Sequence, residues 1–328
     1  MRAVVFTGKG GPEVVEVRGL PDPQPSRGEA LVRVRAAGLN RADLLQRRGL
    51  YPPPPGVRED VPGLELAGEV AAVGEGVTGV KPGDRVMAIV AGEAQAELAV
   101  VHERMLVPVP AALSWEEAGA VMEAFVTAHD ALFTLGGLRP GWPVLVHAAG
   151  SGIATAAIQL VRAAGATALG TSRTAGKLER ARALGLEHGV VVGGERPAFA
   201  AEVRRLAGGD GVPLVVDFVG APYLAENLAA LASGGRLVVV GTLGGGSAPL
   251  ELPALMRARA SIVGTVLRAR PLEEKIRATR LFAAEVLPLL ASGRVRPVVD
   301  TAYPLDQVRE AHAQMERNDS FGKLVLTT

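Results

Sequence analysis

Between about residues 140 and 267, apolar runs of strand length alternate with segments of helix length. Near-continuous apolar strands separated by helices are typical of a parallel sheet covered on both faces. Six strands in this rhythm predict a doubly wound α/β fold of the dinucleotide-binding type. The predicted strands are 144–148, 167–171, 189–192, 214–218, 236–241 and 261–267, and the clearest helices are 153–164 and 175–184.

The first of these strands runs into a small-residue turn, Ala149, Gly150, Ser151, Gly152 and Ile153, which opens a helix. Such a turn lets the backbone approach a pyrophosphate closely, and the free amides of the helix start bind it without a counter-charge. The turn lacks a third glycine in register, and a small-residue turn is often mere packing. Its position at the head of six alternating units favours phosphate binding by these five residues.

The end of the second strand indicates which dinucleotide is bound. An NAD site carries an acid there for the ribose 2′-hydroxyl, but this segment holds Ser172, Arg173 and Lys177, and its first carboxylate is Glu179. A hydroxyl, a guanidinium and an ammonium suit a 2′-phosphate, so the sequence predicts NADPH rather than NADH. The alternative is that Arg173 and Lys177 are solvated charges at a helix start.

The two ends of the chain have a different texture. Up to about residue 110, short β segments broken by Gly and Pro predict a compact, mostly antiparallel module. Ser114, with Glu117 three residues later, predicts the start of a helical stretch that reaches Leu135. We expect the C-terminal tail to return to the N-terminal module. The predicted strands are 3–6, 29–36, 66–73, 84–88 and 97–100, and the tail is predicted as helix 272–291, strand 295–300, helix 305–316 and strand 323–326.

Composition excludes several kinds of chemistry. The chain has no cysteine, which excludes disulfides, Cys-ligated zinc, iron–sulfur clusters and thiol nucleophiles. Lys and Arg total 35 against 34 Asp and Glu, and the net charge of +1 argues against nucleic acid or an anionic membrane as a partner. No apolar run reaches the roughly 18 residues of a membrane span. Because the N-terminus shows no secretion signal, we expect a cytoplasmic protein.

Four motifs recur in the order and spacing of a known family: GLNRAD at 38–43, PGLELAGEV at 62–70, KPGDRV at 81–86 and the turn at 149–154. On these motifs the whole chain resembles the medium-chain dehydrogenase/reductase family, in its zinc-free, zeta-crystallin-like NADPH:quinone oxidoreductase branch. The resemblance implies a GroES-like β-rich catalytic domain, residues 1–121 and 268–328, and a Rossmann NADPH-binding domain, residues 122–267. It also implies a homodimer that pairs sixth-strand edges, with residues 259–267 at the interface.

Zinc alcohol dehydrogenases of this family have a Cys where this chain has Asn40 and a His where it has Leu64. Neither substitute is a good zinc ligand, and without a Lewis acid alcohol oxidation loses its electrophile. The resemblance therefore implies metal-independent hydride transfer from NADPH to a quinone in the cleft between the domains. The alternatives are an enone or 2-alkenal reductase of the same family and a non-catalytic, NADPH-gated RNA-binding or structural protein.

The resemblance places catalytic residues in the first module. Asn40 and Asp43 match the loop beside the nicotinamide, although Asp43 as a simple helix cap is the alternative. Quinone reductases commonly carry Tyr where this chain has Gln46. Tyr51, before a run of four prolines, is then the candidate to stack on the quinone and deliver a proton, with an ordinary surface tyrosine as the alternative.

Further cofactor contacts are implied by the same resemblance. Thr127 matches a position near the nicotinamide, with helix filler as the alternative. Gly241 ends the fifth strand and Leu243 follows it at the carboxyl edge of the sheet, where ligands collect. Backbone groups near Val266 and Leu267, on the sixth strand, are expected to hold the carboxamide.

Arg317 and Lys323 lie in the segment that relatives bring toward the cofactor phosphates, with a solvated tail as the alternative. The histidines His129, His147 and His312 have no ligand spacing and are interpreted as structural, so no metal site is expected.

Overall fold

The computed structural model describes residues 1–194 and 197–328. It divides into two compact units: unit 1 comprises Met1–Val126 and Leu267–Thr328, and unit 2 comprises Thr127–Val266. In the described ranges, no helix combines the length and the apolar character needed to cross a membrane.

The strands of the described residues are β1 (Arg2–Phe6), β2 (Val15–Gly19), β3 (Glu29–Leu39), β4 (Glu65–Val73), β5 (Arg85–Ile89), β6 (Leu98–His102), β7 (Val107–Pro108), β8 (Pro143–Val146), β9 (Thr167–Ser172), β10 (Leu186–Val191), β11 (Val212–Asp217), β12 (Leu231–Val239), β13 (Ser261–Gly264), β14 (Val299–Pro304) and β15 (Lys323–Thr327). The α-helices are α1 (Arg41–Arg47), α2 (Trp115–Ala118), α3 (Met122–His129), α4 (Gly152–Ala163), α5 (Ala175–Arg182), α6 (Ala200–Leu206), α7 (Leu224–Ala230), α8 (Leu252–Ala258), α9 (Leu272–Glu285), α10 (Leu287–Ala291) and α11 (Val308–Arg317).

Unit 1 is built on a seven-stranded sheet with the order β14-β15-β3-β4-β5-β7, in which β6 also pairs with β3. Buried and exposed side chains alternate along β3, so that Val32 and Val34 lie in the core whereas Arg33 and Arg35 face solvent. The tail returns to this sheet as predicted, because β15 pairs antiparallel with β3 and parallel with β14. Strands β1 and β2 form a separate two-stranded sheet.

Unit 2 contains a six-stranded parallel sheet with the order β10-β9-β8-β11-β12-β13. Numbered within the unit, this is 3-2-1-4-5-6, the doubly wound order that the sequence predicts. Val144, Leu145 and Val146 of the central strand β8 are all fully buried, as expected for a strand covered on both faces. The GroES-like β domain and the parallel cofactor sheet are therefore confirmed.

Prolines account for two differences from prediction. The predicted helix 272–291 is two helices, α9 and α10, because Pro288 has no amide hydrogen to continue the helical ladder. The strand predicted at 295–300 begins only at Val299, two residues after Pro297.

Two further predicted elements differ in their bounds, and two strands were not predicted. The helical stretch predicted at 114–135 consists of α2, α3 and a π-helical turn, Asp130–Leu135. The predicted sixth strand ends at Gly264, so Val266 and Leu267 follow the strand instead of lying on it. These two strands are β2 and the two-residue β7.

Candidate active site and cofactor site

The turn after β8 has the construction of an anion-binding helix start. Ala148 adopts a φ of 51°, which turns the chain sharply after the strand, and the amide of Ala149 donates to the carbonyl of Thr171 at 2.8 Å. The hydroxyl of Ser151 caps the 12-residue helix α4 by accepting from the amide of Ala154 at 3.3 Å. The first-turn amides of a helix have no partner within it. The predicted residues 149–153 therefore lie together where β8 and β11 meet, the point at which such folds bind ligands.

The predicted 2′-phosphate residues lie beside this turn, because β9 pairs in parallel with β8. Ser172 ends β9, and its hydroxyl accepts from the amide of Thr174 at 3.3 Å. Arg173 is exposed and Lys177 half-buried in the first turn of α5. A site with cations and no acid among its residues fits a 2′-phosphate. The choice of NADPH over NADH stays a prediction.

The loops after β11 and β12 hold each other in place. Gly220 pairs with Gly245, and a Cβ built on Gly220 would lie 2.7 Å from the carbonyl oxygen of Gly245. The amide of Gly241 donates to the carbonyl of Asp217 at 3.2 Å, and Leu243 presents an exposed side chain. The loop predicted to contact the nicotinamide ribose is thus fixed by close backbone packing.

A series of buried, hydrogen-bonded polar side chains lies at the same edge of the sheet. His147 contacts the hydroxyl of Thr171 at 2.8 Å through Nδ1 and the Oδ1 of Asn227 at 2.6 Å through Nε2. The amide of Asn227 donates to Asp217 at 3.0 Å, so its oxygen accepts, and His147 therefore carries its proton on Nε2. Burial lowers the pKa of His147 to about 4 and raises the pKa of Asp217 to about 6. His147 is neutral and structural, as interpreted from the sequence.

The other predicted nicotinamide contacts are less tightly defined. Thr127 is buried in α3. Val266 is half exposed after the end of β13, and Leu267 begins the second segment of unit 1. The roles of Thr127, Val266 and Leu267 stay predictions, but the assignment of the last two to a strand is wrong because β13 ends at Gly264.

In unit 1, the side chain of Asp43 is fully buried and accepts hydrogen bonds from three parts of the chain. Its carboxylate accepts from the amide of Asn40 at 2.7 Å, which closes the capping box of α1. It also accepts from the amide of Gly63 at 3.3 Å and from the side chain of Gln95 at 3.1 Å. Burial raises the pKa of Asp43 to about 6, against the opposing effect of the amide of Asn40 and the charge of Lys323. With a relative exposure of 0%, Asp43 reaches a ligand only through its neighbours.

The side chain of Asn40 is hydrogen-bonded to both members of a buried ion pair, Lys323 and Glu65. The ammonium of Lys323 lies 2.6 Å from the carboxylate of Glu65 and donates to the oxygen of Asn40 and to the carbonyl of Leu39. The nitrogen of Asn40 donates to Glu65 at 3.1 Å. The expectation that Lys323 serves the cofactor phosphates is wrong, because its three hydrogens are directed to acceptors inside unit 1. A direct contact of Asn40 with substrate stays a prediction.

Tyr51 is half-buried and held by an arginine that the sequence analysis did not identify. The guanidinium of Arg268 lies over the Tyr51 ring at 5.2 Å from its centroid and donates to its carbonyl at 3.0 Å. The same guanidinium donates to Gln46 at 2.6 Å and to the carbonyl of Ala91 at 2.7 Å. Gln46 thus acts as a support for the Tyr51 loop. Burial raises the pKa of the Tyr51 phenol, so the phenol stays protonated near neutral pH.

Glu123, on the first turn of α3, is a second functional candidate that was missed. Its amide donates to Glu65 at 2.8 Å, and its half-buried carboxyl faces the charges of Lys323, Glu65 and Asp43. Burial raises the pKa of Glu123 to about 7. A signal was present in the sequence, since Glu123 is the one charged residue in the run 118–128.

The remaining predicted residues lie elsewhere in unit 1. Arg317 ends α11 on the surface, where it pairs with Asp319 at 3.0 Å, and its contact with the cofactor stays a prediction. His312 is buried 2.9 Å from the guanidinium of Arg47, and burial lowers its pKa to about 3. The arrangement of His312 is that of a structural side chain.

The donor set around Asn40 does not suit zinc. The amide of Asn40 is engaged with Lys323 and Glu65, and Leu64 offers only an apolar side chain, itself buried. Within residues 1–194 and 197–328, no group of three or more His, Cys, Asp or Glu side chains is arranged to hold a metal ion. The residues at the position of the family's zinc site therefore do not fit the metal.

Two family models match the chain. Residues 26–137 match the alcohol dehydrogenase GroES-like domain, and residues 184–326 match the zinc-binding dehydrogenase model. Among curated proteins, the synaptic vesicle membrane protein VAT-1 homolog of Rattus norvegicus is 33% identical over 99% of this chain and 84% of its own length. The quinone oxidoreductase of Rattus norvegicus is 31% identical over 99% of this chain and 97% of its own.

Solved structures give the same result. A structure described as an NAD-dependent alcohol dehydrogenase has a TM-score of 0.87 and 36% identity, with 100% of both chains covered. The quinone oxidoreductase of Escherichia coli, complexed with NADPH, has a TM-score of 0.88 and 28% identity, again with 100% of both chains covered. These similarities run through both units. The chain therefore belongs to the medium-chain dehydrogenase/reductase family of oxidoreductases and is similar to the quinone oxidoreductases within it.

Proposed function

We propose that the protein is an NADPH-dependent quinone reductase that works without a metal. The observation that carries this proposal is the donor set at Asn40 and Leu64, in which an amide hydrogen-bonded to a buried ion pair and a buried aliphatic side chain replace zinc ligands. A substrate at this site must accept hydride without a Lewis acid. A quinone does so, because its negative charge is delocalised over two oxygens.

The residues of unit 2 fit a phosphorylated dinucleotide, which when bound supplies the hydride. The helix start at 149–153 would hold the pyrophosphate, and Ser172, Arg173 and Lys177 would hold the 2′-phosphate. The loop of Gly241 and Leu243 would hold the nicotinamide ribose. In unit 1, the ring of Tyr51, fixed by Arg268, would provide a flat surface for the quinone.

An assay of several acceptors under one set of conditions tests the reaction class. We expect kcat/KM with NADPH and a quinone to exceed the value with an enone, and we expect the activity to survive exhaustive chelation. The same assay includes NAD with simple alcohols, since one similar structure is described as an NAD-dependent alcohol dehydrogenase. Metal-dependent alcohol oxidation, or a clear preference for enones, would contradict the proposal. RNA affinity competed by NADPH, without hydride transfer to any acceptor, would favour the non-catalytic alternative.

The cofactor preference is a separate prediction. Replacement of Arg173 by Ala removes a charge-assisted contact to the 2′-phosphate and should raise KM for NADPH about 10- to 100-fold, with little effect on NADH. Arg257→Ala, at an exposed arginine on α8, is the matched control. If the wild-type protein has an equal or better kcat/KM with NADH, the preference for NADPH is wrong.

A further inference from the structure

Hydride transfer alone does not complete the reduction of a quinone. The quinone receives two electrons and one hydrogen nucleus from a reduced nicotinamide dinucleotide and is left as a hydroquinone anion. A second hydrogen must then arrive as a proton. We propose that Glu123 is the proton donor: the O–H bond of its carboxylic acid breaks, and a new O–H bond forms on the anionic oxygen of the reduced quinone.

This assignment rests on the proposed function, and its steps balance. The electron pair of the broken O–H bond stays on the Glu123 carboxylate, which takes a proton back from water before the next turnover. Each quinone therefore consumes one hydride from the dinucleotide and one proton from solvent. No further oxidant or reductant is needed.

The charges around Glu123 require one proton within the cluster. Three carboxyl groups lie together in unit 1, Asp43, Glu65 and Glu123, and two cations face them, Lys323 and Arg268. If all five groups were ionised, a buried cluster would carry a net negative charge, which burial strongly disfavours. One carboxyl group is therefore expected to be neutral near pH 7.

Hydrogen bonds indicate which carboxyl holds the proton. Asp43 accepts from the amides of Asn40 and Gly63 and from Gln95, and these donors favour its charged form. Glu65 is stabilised as a carboxylate by Lys323, by Asn40 and by the backbone amide of Glu123.

The carboxyl of Glu123 has no such support. Among the described residues, no hydrogen bond to it is found. The hydrogens of Lys323 go to Leu39, Asn40 and Glu65, and those of Arg268 go to Gln46, Tyr51 and Ala91. The proton is therefore placed on Glu123, in agreement with its raised pKa of about 7.

Position and acidity distinguish Glu123 from its neighbours as a donor. Asp43 has no exposed surface, whereas Glu123 is only half-buried. A phenolic oxygen such as that of a hydroquinone has an ordinary pKa of about 10. Proton transfer from Glu123 to such an oxygen is downhill, whereas transfer from Tyr51, whose pKa is raised by burial, is not.

The first test measures the proton directly, without turnover. Cofactor-free protein labelled with ¹³C in the glutamate carboxyl groups is titrated by NMR, and the Glu123 signal is assigned by its absence from Glu123→Gln. We expect a midpoint near pH 7 in place of the ordinary value of about 4.3. A midpoint below pH 5.5 would overturn the proposal. If Glu123→Gln does not fold, the absence of the signal from Glu123→Asp assigns it instead.

The second test is kinetic. With NADPH and a quinone, Glu123→Gln should lower kcat about 10- to 100-fold at pH 7 while NADPH binding, measured by fluorescence, is unchanged. In the wild-type protein kcat should fall above pH 7 as Glu123 loses its proton, and this fall should be absent from Glu123→Gln. Glu274→Gln, at an exposed residue of α9, and Tyr51→Phe should both keep the wild-type pH profile.

The outcomes separate the two proposals. A Glu123→Gln protein with wild-type rate and pH profile would show that another group gives the proton, although quinone reduction stands. A pH profile that is lost in Tyr51→Phe would also assign the proton to another group. If the wild-type protein reduces no quinone, the proposed function is wrong and proton transfer to a quinone falls with it, while the NMR titration still decides whether Glu123 holds a proton.

Discussion

Lys323 shows how strongly a single residue is fixed by its surroundings in this protein. Its ammonium is almost fully buried beside the equally buried carboxylate of Glu65. Removal of one partner of a buried ion pair leaves the other charge without compensation. We expect Lys323→Met to lower the free energy of unfolding of unit 1 by about 3–5 kcal/mol. Urea unfolding followed by the fluorescence of Trp115, in a Trp142→Phe background, measures this unit, since the chain has only these two tryptophans.

The matched control uses the other C-terminal cation. Arg317 pairs with Asp319 on the surface, and exposed pairs contribute about 0–1 kcal/mol. Arg317→Met should therefore have little effect on the same unfolding curve. The double variant Lys323→Met/Glu65→Gln should recover part of the loss, because no buried charge is left unpaired. Equal effects of the two single variants would show that the buried pair contributes no more than a surface one.

At the scale of elements, the chain of His147, Asn227 and Asp217 joins β8, α7 and β11 below the loops assigned to the cofactor. The pKa of His147 is about 4 in the folded protein, against an ordinary value of about 6.5 in the unfolded chain. The unfolded state therefore binds this proton at a higher pH than the folded state does. The stability that neutral His147 provides is fully present above pH 6.5 and is lost as the pH falls toward 4.

This linkage predicts a pH-dependent difference between wild type and His147→Leu. The wild-type advantage in free energy of unfolding should shrink by roughly 1 kcal/mol per pH unit, and by about 3 kcal/mol in total, between pH 6.5 and 4. Asp217, whose pKa is raised, acts in the opposite direction but is present in both proteins. Trp142 fluorescence in a Trp115→Phe background reports on unit 2. An advantage that is constant with pH would show that His147 is not held neutral by the fold.

Elements with a strong local pattern were predictable from the sequence, and the exceptions have physical causes. The central strands β8 and β11 are largely apolar runs, and Ser114 caps α2 as its spacing from Glu117 indicates. The split of the tail helix at Pro288 and the late start of β14 also follow from the geometry of proline, which in both places outweighs the hydrophobic pattern.

The site was predictable only where its residues are close in sequence. The turn at 149–153 and the segment from Ser172 to Lys177 are local motifs and were identified. The cluster in unit 1 joins Glu65, Glu123, Arg268 and Lys323 from four distant segments. Sequence spacing gives no sign of such pairings, because only the antiparallel return of β15 onto β3 brings Lys323 to Glu65.

At the scale of the whole molecule, the open edge of the parallel sheet at β13 indicates a surface for a partner. In the described part of the chain, β13 pairs only with β12, which leaves its outer edge of backbone amides and carbonyls open. Apolar side chains surround this edge: Met256 is 74% exposed, Val266 50% and Ile262 37%. An apolar, unpaired edge strand is a template for pairing with another chain. The family resemblance implies that this partner is a second copy.

We therefore expect light scattering to give twice the mass of the chain, with the two sheets joined through β13. Ile262→Lys places a charge on the open edge and should shift the protein to a monomer, because burial of an unpaired ammonium opposes association. Its NADPH affinity should stay within a few-fold of wild type, since Ile262 is not among the residues assigned to the cofactor. A wild-type protein that stays monomeric at high concentration would contradict the pairing. A dimer that survives Ile262→Lys would place the interface on another surface.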